Sequence, residues 1–328
     1  LNLNDAFFSI PFLKYKKYYN DEAYLNINGI INNSLHFDNI KFIYNNKENI
    51  IEGKFSLLDA DNNYSIQFDK FIYQKNNLKL GVNYEDDTFN LNIYSGILDL
   101  NLFLDNSINH NSSADIIVTA NLEKLTVKET AIDNAYVKYK NVNKLKSLSI
   151  KGEYYSDESV IFNYNNSDDL DILEYDFRAS NAGKFFELLN YKSEIKDGIL
   201  SSEGFIGNID NGNDIMGTIS IDNFKVMKAP LFAELLLAAS FTGLFELLNN
   251  EGIEFEQFDA QFTGKDNIFF VNKSRAYGFS LGITGVGKIN NKEKYLDLSG
   301  SIIPAYKINS LLNNVPLVGQ LLSAKEDE

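Results

Sequence analysis

The chain has 328 residues, of which 44% are hydrophobic and 13% aromatic, enough apolar mass to bury a core and too much for a disordered chain. Its 30 lysines and arginines stand against 45 aspartates and glutamates, a net charge of -15, which argues against binding to nucleic acid or to anionic headgroups by charge. The absence of cysteine excludes disulfides, thiol nucleophiles and thiolate metal sites.

Short runs of alternating polar and apolar residues, separated by Asn, Asp and Gly, fill most of the chain. This period of two predicts half-buried β-strands. The runs begin at Ala23, Lys54, Thr88, Ser147 and Asn267. All four prolines lie outside them, so long strand ladders are expected. We predict a long antiparallel meander, without a fixed repeat of 20 to 50 residues.

The run TFNLNIYSGILDLNLFLD, from Thr88, predicts a β-hairpin with one apolar face. Phe89, Leu91 and Ile93 alternate in the first strand, and Ser95 with Gly96 is typical of a turn. The return strand carries the remaining apolar positions of the run, which are Leu98, Leu100, Leu102 and Leu104.

Three segments instead predict short helices. SNAGKFFELLNY begins with Ser180 and Asn181 as candidate N-caps. Residues 229–255 form an apolar stretch with Pro230 at a first-turn position. INSLLNNVPLVGQLL predicts a pair of short helices broken before Pro316.

The apolar stretch 229–255 is a poor candidate for a membrane span. A helix over residues 231–248 would be roughly 27 Å long at about 1.5 Å per residue, short of a hydrocarbon core of about 30 Å. It also contains Glu234 and Glu246, each costly in lipid. Two interpretations stay open: a helix pair covering the sheet, or a helical element bordering a lipid-filled groove.

Catalytic and metal-binding motifs find little support. The two histidines, His36 and His110, have no nucleophile or acidic motif at a recognisable spacing. Asp59 and Asp61 resemble the start of a calcium loop, but Tyr64 occupies its required glycine position. We expect no enzyme activity, no metal and no cofactor.

Residues 175–328 resemble the C-terminal region of AsmA-like proteins, in the branch that includes YhdP. The resemblance lies in the order and spacing of its segments: a strand ending in Lys-Ala-Pro, an apolar helical pair, Gly-Ile-Glu-Phe, a glycine-rich strand, Gly-Ser-Ile-Ile-Pro-Ala-Tyr and Val-Pro-Leu-Val-Gly. The segment SNAGKFFELLNYKSEIKDGILSSEGFIG is similar to the one that precedes these in the family. Residues 1–174 resemble the family only as generic β-structure.

This resemblance implies an elongated protein of the Gram-negative periplasm, anchored in the inner membrane and related to bridge-like lipid-transfer proteins. In these a curved amphipathic β-sheet forms a groove for phospholipid acyl chains. The chain, read as a fragment with a β-groove segment (1–174) and an AsmA-like region (175–328), would reach the inner and outer membranes through parts outside this sequence. Nucleic acid is not an expected partner.

Two sets of residues are the candidate lipid site. The candidates for the groove lining are Phe89, Leu91, Ile93, Leu98, Leu100, Leu102, Phe279, Leu281 and Ile283. The candidates for a helical element near the end of the groove are Leu231, Leu235, Phe241, Leu244 and Phe245. The alternative is a β-rich binding or structural module with a closed core, such as an outer-membrane assembly factor or a surface adhesin segment. A hydrolase is a third, formal possibility. A pocket that places His36 or His110 beside a nucleophile would favour it.

Overall fold

The structure is a computed structural model of the chain. It describes residues 8–10, 15–17, 22–31, 35–44, 49–57, 63–101, 115–155, 157–166, 172–191, 194–209, 213–228, 230–238 and 241–304. The predicted helices around Pro316, together with His110, Leu102 and Leu104, lie outside these residues.

Strands dominate the described residues, and three short helices interrupt them. The strands are β1 (Phe8–Ile10), β2 (Tyr15–Lys17), β3 (Ala23–Ile31), β4 (Leu35–Tyr44), β5 (Asn49–Leu57), β6 (Tyr64–Tyr73), β7 (Asn76–Glu85), β8 (Thr88–Asp99), β9 (Asp115–Val127), β10 (Thr130–Val142), β11 (Leu145–Tyr154), β12 (Glu158–Asn166), β13 (Ile172–Ala179), β14 (Ile195–Ile209), β15 (Asn213–Val226), β16 (Ile253–Lys265), β17 (Ile268–Tyr277), β18 (Leu281–Asn290) and β19 (Tyr295–Pro304). The helices are α1 (Ala182–Leu188), α2 (Pro230–Ala238) and α3 (Thr242–Asn250). The prediction of a mainly β fold with a long, mostly antiparallel, amphipathic sheet and a few short helices toward the C-terminal end is confirmed.

The chain divides into two compact units. The first comprises residues 1–180 and 185–191, and the second comprises residues 181–184 and 192–328. Each unit is built on strands that follow one another in chain order.

In the first unit, strands β3 to β13 lie side by side in sequence order. Every neighbouring pair is antiparallel except β8 and β9, which run parallel. Antiparallel neighbours need only short turns, whereas a parallel pair needs a longer connection, and residues 100–114 supply it here. Strands β1 and β2 form a separate antiparallel pair.

The predicted hairpin turn at Ser95 and Gly96 is wrong, because both residues lie inside the single strand β8. Gly96 has a φ of 123°, a region open to glycine but not to residues with a Cβ. It lies opposite Leu78, two residues from Tyr94, where the pairing with β7 shifts register. The glycine therefore lies beside a β-bulge within the strand rather than at a chain reversal.

Bulges recur in every second strand of the first part of this sheet. Asp38 in β4, Asp69 in β6 and Tyr94 in β8 lie where pairing with a neighbouring strand shifts register. Each bulge bends its strand and increases the local twist. Such a series gives a bent sheet rather than a flat one.

The buried core of the first unit lies toward one end of its strands. It is a cluster of seven apolar side chains, which are Leu78, Leu80, Ile93, Ala120, Leu122, Leu125 and Ala135. Phe185 of helix α1 packs against aromatic side chains of β11 and β13. Its ring lies 5.8 Å from that of Tyr154 and 4.8 Å from that of Phe177.

The second unit joins β14 to β19 in an antiparallel series and carries both apolar helices. Leu236 of α2 and Leu248 of α3 are fully buried. The backbone N–H of Phe241 donates to the carbonyl of Leu236 at 2.8 Å, where the two helices meet. Among the described residues, no helix has both the length and the apolar character that a membrane crossing requires.

The N-cap prediction for α1 is confirmed at one of its two positions. The backbone N–H of Lys184 donates to Oδ1 of Asn181 at 3.0 Å, which is the N-cap pattern. Ser180 instead forms hydrogen bonds with β12. Its hydroxyl donates to the carboxylate of Glu158 and accepts from the N–H of Ser159.

Candidate functional site

The register of the first unit aligns apolar side chains in a continuous row across nine strands, β5 to β13. We name it the outer apolar row. Its members, each opposite the next, are Phe55, Ile66, Val82, Leu91, Val118, Tyr139, Leu148, Tyr164 and Tyr175. Residues aligned in this way lie on the same face of a sheet.

A second row runs beside it, two positions along each strand and adjoining the core cluster. This inner apolar row consists of Phe68, Leu80, Ile93, Ala120, Val137, Ile150, Phe162 and Phe177. Leu80, Ile93 and Ala120 are buried, and the others are half-buried. The face therefore becomes more accessible with distance from the core cluster.

The outer apolar row is accessible along almost its whole length. Eight of its nine residues are half-buried, and only Tyr175, with 7% of its surface exposed, is buried. In a closed β-sandwich these positions would pack against a second layer. The described residues of the first unit provide no such layer over β5 to β9.

The opposite face of the same strands is polar. The residues directly between the two apolar rows are Lys54, Gln67, Gly81, Asn92, Thr119, Lys138, Ser149, Asn163 and Asp176. Neighbours along this polar row also bond, as Nδ2 of Asn163 donates to Asp176 at 2.9 Å. The sheet is thus amphipathic, with one face fit for water and the other for an apolar ligand.

The dimensions of the apolar face suit long hydrocarbon chains. Nine strands at about 4.8 Å spacing extend roughly 38 Å. One leaflet is half of a hydrocarbon core of about 30 Å, so the row is longer than the depth that one acyl chain fills in a leaflet. Half-buried apolar side chains over this length attract a hydrocarbon chain without directional preference, and the attraction grows with the apolar area that the chain covers.

An aromatic ladder borders the outer apolar row at β5 to β8. The ring of Tyr64 lies 6.1 Å from Phe55 and 5.3 Å from Tyr84, and Tyr84 lies 4.7 Å from Phe89. The Tyr84 hydroxyl donates to Asp87 at 2.8 Å, and this bond to the carboxylate raises the pKa of Tyr84. Aromatic rings with a polar tip suit a boundary between apolar and aqueous surroundings.

Two further tyrosines lie within the outer apolar row itself. Burial raises the pKa of Tyr139 and of Tyr164, and the nearby Tyr139 phenol raises that of Tyr164 further. Both phenols therefore stay neutral at physiological pH.

The sequence candidates of β8 occupy different levels of this face. Phe89 belongs to the aromatic ladder, Leu91 to the outer apolar row and Ile93 to the inner one. Leu98 and Leu100 are half-buried and pack against the core cluster, so they extend the core rather than the outer apolar row. Leu102 lies outside the described residues.

The candidates of the second unit differ from one another. Ile283 is half-buried in an apolar row formed with Leu200, Ile221, Phe258, Ala276 and Ile302. Leu281 is fully buried, so it offers no surface to a ligand. Phe279, 82% exposed, lies in the connection between β17 and β18, not in a strand.

The second unit repeats the amphipathic pattern. Opposite its apolar row lies a polar row of Ser201, Ser220, Asp259, Arg275, Thr284 and Ser301. Asp259 accepts from Ser220 at 3.0 Å and pairs with Arg275 at 3.4 Å. This face is held together by its own side chains.

Four of the five helical candidates lie on two short helices, and their place near the end of a groove stays a prediction. Leu231 and Leu235 belong to α2, whereas Leu244 and Phe245 belong to α3 and are half-buried. Phe241 lies between the helices, and its carbonyl accepts from the N–H of Phe245 at 3.0 Å.

The remaining chemistry-bearing residues form no site in the described part of the chain. His36 lies in β4, opposite Ile30 and Ser56. No group of three His, Cys, Asp or Glu side chains suited to a metal occurs within the described ranges.

Sequence reasoning missed the contribution of β9 to β13 to the apolar face. The signal was present in β10, where Ala135, Val137 and Tyr139 alternate with Tyr136 and Lys138. What the sequence does not reveal is that this alternation is in register with that of β8, because the two are joined through the parallel pair β8 and β9.

Searches against protein-family models, curated proteins and solved structures find no match to this chain.

Proposed function

We propose that this chain is a non-enzymatic segment of a lipid-transfer conduit, which binds phospholipid acyl chains along the apolar face of its sheet. The observation that carries the proposal is the outer apolar row, which is half-buried and still accessible from β5 to β12 while the opposite face is polar. An apolar surface of this length is costly in water and is typical of a surface with a partner.

An acyl chain suits this face better than a protein partner does. The aliphatic members Ile66, Val82, Leu91 and Val118 form a smooth stripe perpendicular to the strands. Hydrocarbon needs no hydrogen bonds, and this stripe offers none. The net charge of -15 leaves apolar contact as the main source of affinity for lipid.

For the cellular setting, the proposal rests on the sequence resemblance to AsmA-like proteins. We propose that the full-length protein is anchored in the inner membrane of a Gram-negative bacterium and crosses the periplasm. In this setting the conduit moves phospholipid between the inner and outer membranes and contributes to outer-membrane homeostasis.

The competing function is a binding or structural module with a closed core. It is favoured by the core cluster around Leu125 and by the full burial of Leu281, which are features of ordinary β-domain packing. The two functions differ in whether the outer apolar row is in contact with lipid.

That contact can be mapped because the chain has no cysteine. Leu91→Cys and Asn92→Cys each receive a bimane label, one on the apolar face and its neighbour on the polar face. Phosphatidylethanolamine with a nitroxide on its acyl chain is then added from vesicles. We expect quenching at position 91 and little at position 92. Equal quenching at both, or none at either, would remove the conduit proposal.

A further inference from the structure

The apolar face changes character between its two halves. In β6 to β9 the outer apolar row is aliphatic, whereas in β10 to β13 it contains Tyr139, Tyr164 and Tyr175. Two positions further along these strands, the same face carries Asn141, Lys146 and Asn166 in β10 to β12 and Leu173 in β13. From the inner row outward, β10 and β12 are thus layered as apolar, phenolic and then polar, and Lys146 adds to the polar layer in β11, which lies between them.

Two phenols of this layer, those of Tyr139 and Tyr164, offer hydrogen-bond donors that the described residues leave unused. The hydroxyls of Tyr139 and Tyr164 have no hydrogen-bond partner among the described residues, and both side chains are half-buried on the apolar face. A tyrosine hydroxyl in such surroundings normally finds a partner, because leaving it unpaired away from water costs free energy. Each neutral phenol can donate one hydrogen bond.

The polar layer adds a cation near the start of β11, which is Lys146. Lys146 is exposed, and its ammonium has no ion-pair partner within the described residues. Its backbone N–H donates to Oδ1 of Asn166, which ties the start of β11 to the end of β12. The side chain therefore extends from a fixed strand position.

We infer that β10 to β13 bind the ester and phosphate region of a diacyl phospholipid, whose acyl chains extend over the aliphatic half of the outer apolar row. Tyr139 and Tyr164 donate hydrogen bonds to ester carbonyl oxygens, and Lys146 contacts the phosphate. This inference rests on the proposed function and adds to it the residues that hold the ester and phosphate region, since a plain hydrocarbon would leave all three groups unpaired. It also gives the bound lipid a direction along the sheet.

Phosphatidic acid and diacylglycerol differ only by the phosphate group, so comparing them separates the contribution of the two phenols from that of Lys146. The full chain is titrated with phosphatidic acid and with diacylglycerol, both labelled with 13C at the ester carbonyls, and the carbonyl band is followed by infrared spectroscopy. In Tyr139→Phe/Tyr164→Phe, affinity for both lipids should fall about five-fold for each hydrogen bond lost, and the hydrogen-bonded carbonyl band should weaken. In Lys146→Gln, only phosphatidic acid should bind more weakly, by about ten-fold.

Tyr136→Phe is the matched control, because Tyr136 is exposed on the polar face and its loss should change neither affinity nor band. If the double phenylalanine variant binds both lipids as the unmodified chain does, with the same band, the inference is wrong while the conduit remains. If Tyr136→Phe weakens binding equally, the assignment of these phenols is also wrong. If the unmodified chain binds neither lipid, both proposals fail.

Discussion

Val118 and Thr119 are neighbours in β9 whose side chains point to opposite faces of the sheet. Val118 lies between Leu91 and Tyr139 in the outer apolar row, whereas Thr119 lies between Asn92 and Lys138 on the polar face. Both are half-buried, so each site should accept a carboxylate without loss of the fold. This pair isolates the effect of the face from that of the added charge.

We predict that Val118→Asp lowers the affinity for a fluorescent phospholipid at least about ten-fold, because a carboxylate against an acyl chain loses hydration without gaining a partner. Thr119→Asp should leave the affinity unchanged. Titration of both variants, with circular dichroism to confirm folding, makes the comparison. Equal affinities in two folded variants would contradict a lipid-binding role for the outer apolar row.

The phenols predict a stability change at alkaline pH. Burial raises the pKa of Tyr73, Tyr139 and Tyr164 above the ordinary value of 10.0, so the unfolded chain releases these protons at lower pH than the folded chain does. Their contribution is therefore complete below pH 10 and is lost as the pH rises through the folded values.

Urea denaturation at pH 8 and at pH 11 measures this loss. Lysines also titrate in this range, so the comparison is made against Tyr139→Phe/Tyr164→Phe. The midpoint of the unmodified chain should fall more between the two pH values than that of the variant. Identical losses would show that these phenols do not titrate differently in the folded and unfolded chains.

At the scale of elements, strand β8 shows how one residue can support two interpretations. Ser95-Gly96 predicts a turn, yet the structure continues the strand through both residues. Glycine permits both outcomes because it tolerates positive φ in a turn and in a bulge alike. The pairing of β8 with β7 selects the strand, because Gly96 lies against Asn77 and Leu78 of β7.

Gly96→Ala should therefore lower the free energy of unfolding by about 2 kcal/mol or more. The new Cβ would overlap the carbonyl oxygen of Asn77, and the residue would be held at a φ of 123°. Gly243→Ala in α3 is the matched control, since its Cβ position meets no atom of the described residues within 4 Å apart from its own helix backbone and its chain neighbours. It should stabilise the helix by about 0.5 to 1 kcal/mol. Equal effects of the two substitutions would contradict the bulge.

Several elements could be predicted from the sequence because their signals are local. Alternation identified strands such as β8, and the Asn181 cap and Pro230 marked the starts of α1 and α2. The lining of the site was predicted less well. Leu91 is half-buried on the apolar face, whereas Ile93 and Leu281 are buried, because alternation identifies the apolar side of a strand but not what covers it.

The full width of the site lay beyond the sequence because it depends on register between distant strands. Leu91 and Val118 meet across a parallel pair, and Val118 meets Tyr139 across an antiparallel one. A shift of one residue at either pair would place these side chains on the opposite face. The position of each bulge is part of that register, and it is set by tertiary pairing rather than by local composition.

At the scale of the whole molecule, both units share one design. Each has an apolar row on one face of an antiparallel series and a polar row on the other, as at Ile221 and Ser220 in the second unit and at Val118 and Thr119 in the first. In the first unit this alternation leaves eight of the nine residues of the outer apolar row half-buried rather than buried. We propose a lipid conduit as the function of that accessible face, whereas a closed module would cover it.

The most direct test of this account is native mass spectrometry of the purified chain, with extraction and identification of lipid from the same sample. The account predicts phospholipid bound to the folded chain, retained in Thr119→Asp and lost in Val118→Asp. A folded chain that carries no lipid, and that acquires none after incubation with phosphatidylethanolamine vesicles, would contradict it and favour a closed β-domain with a binding or structural role.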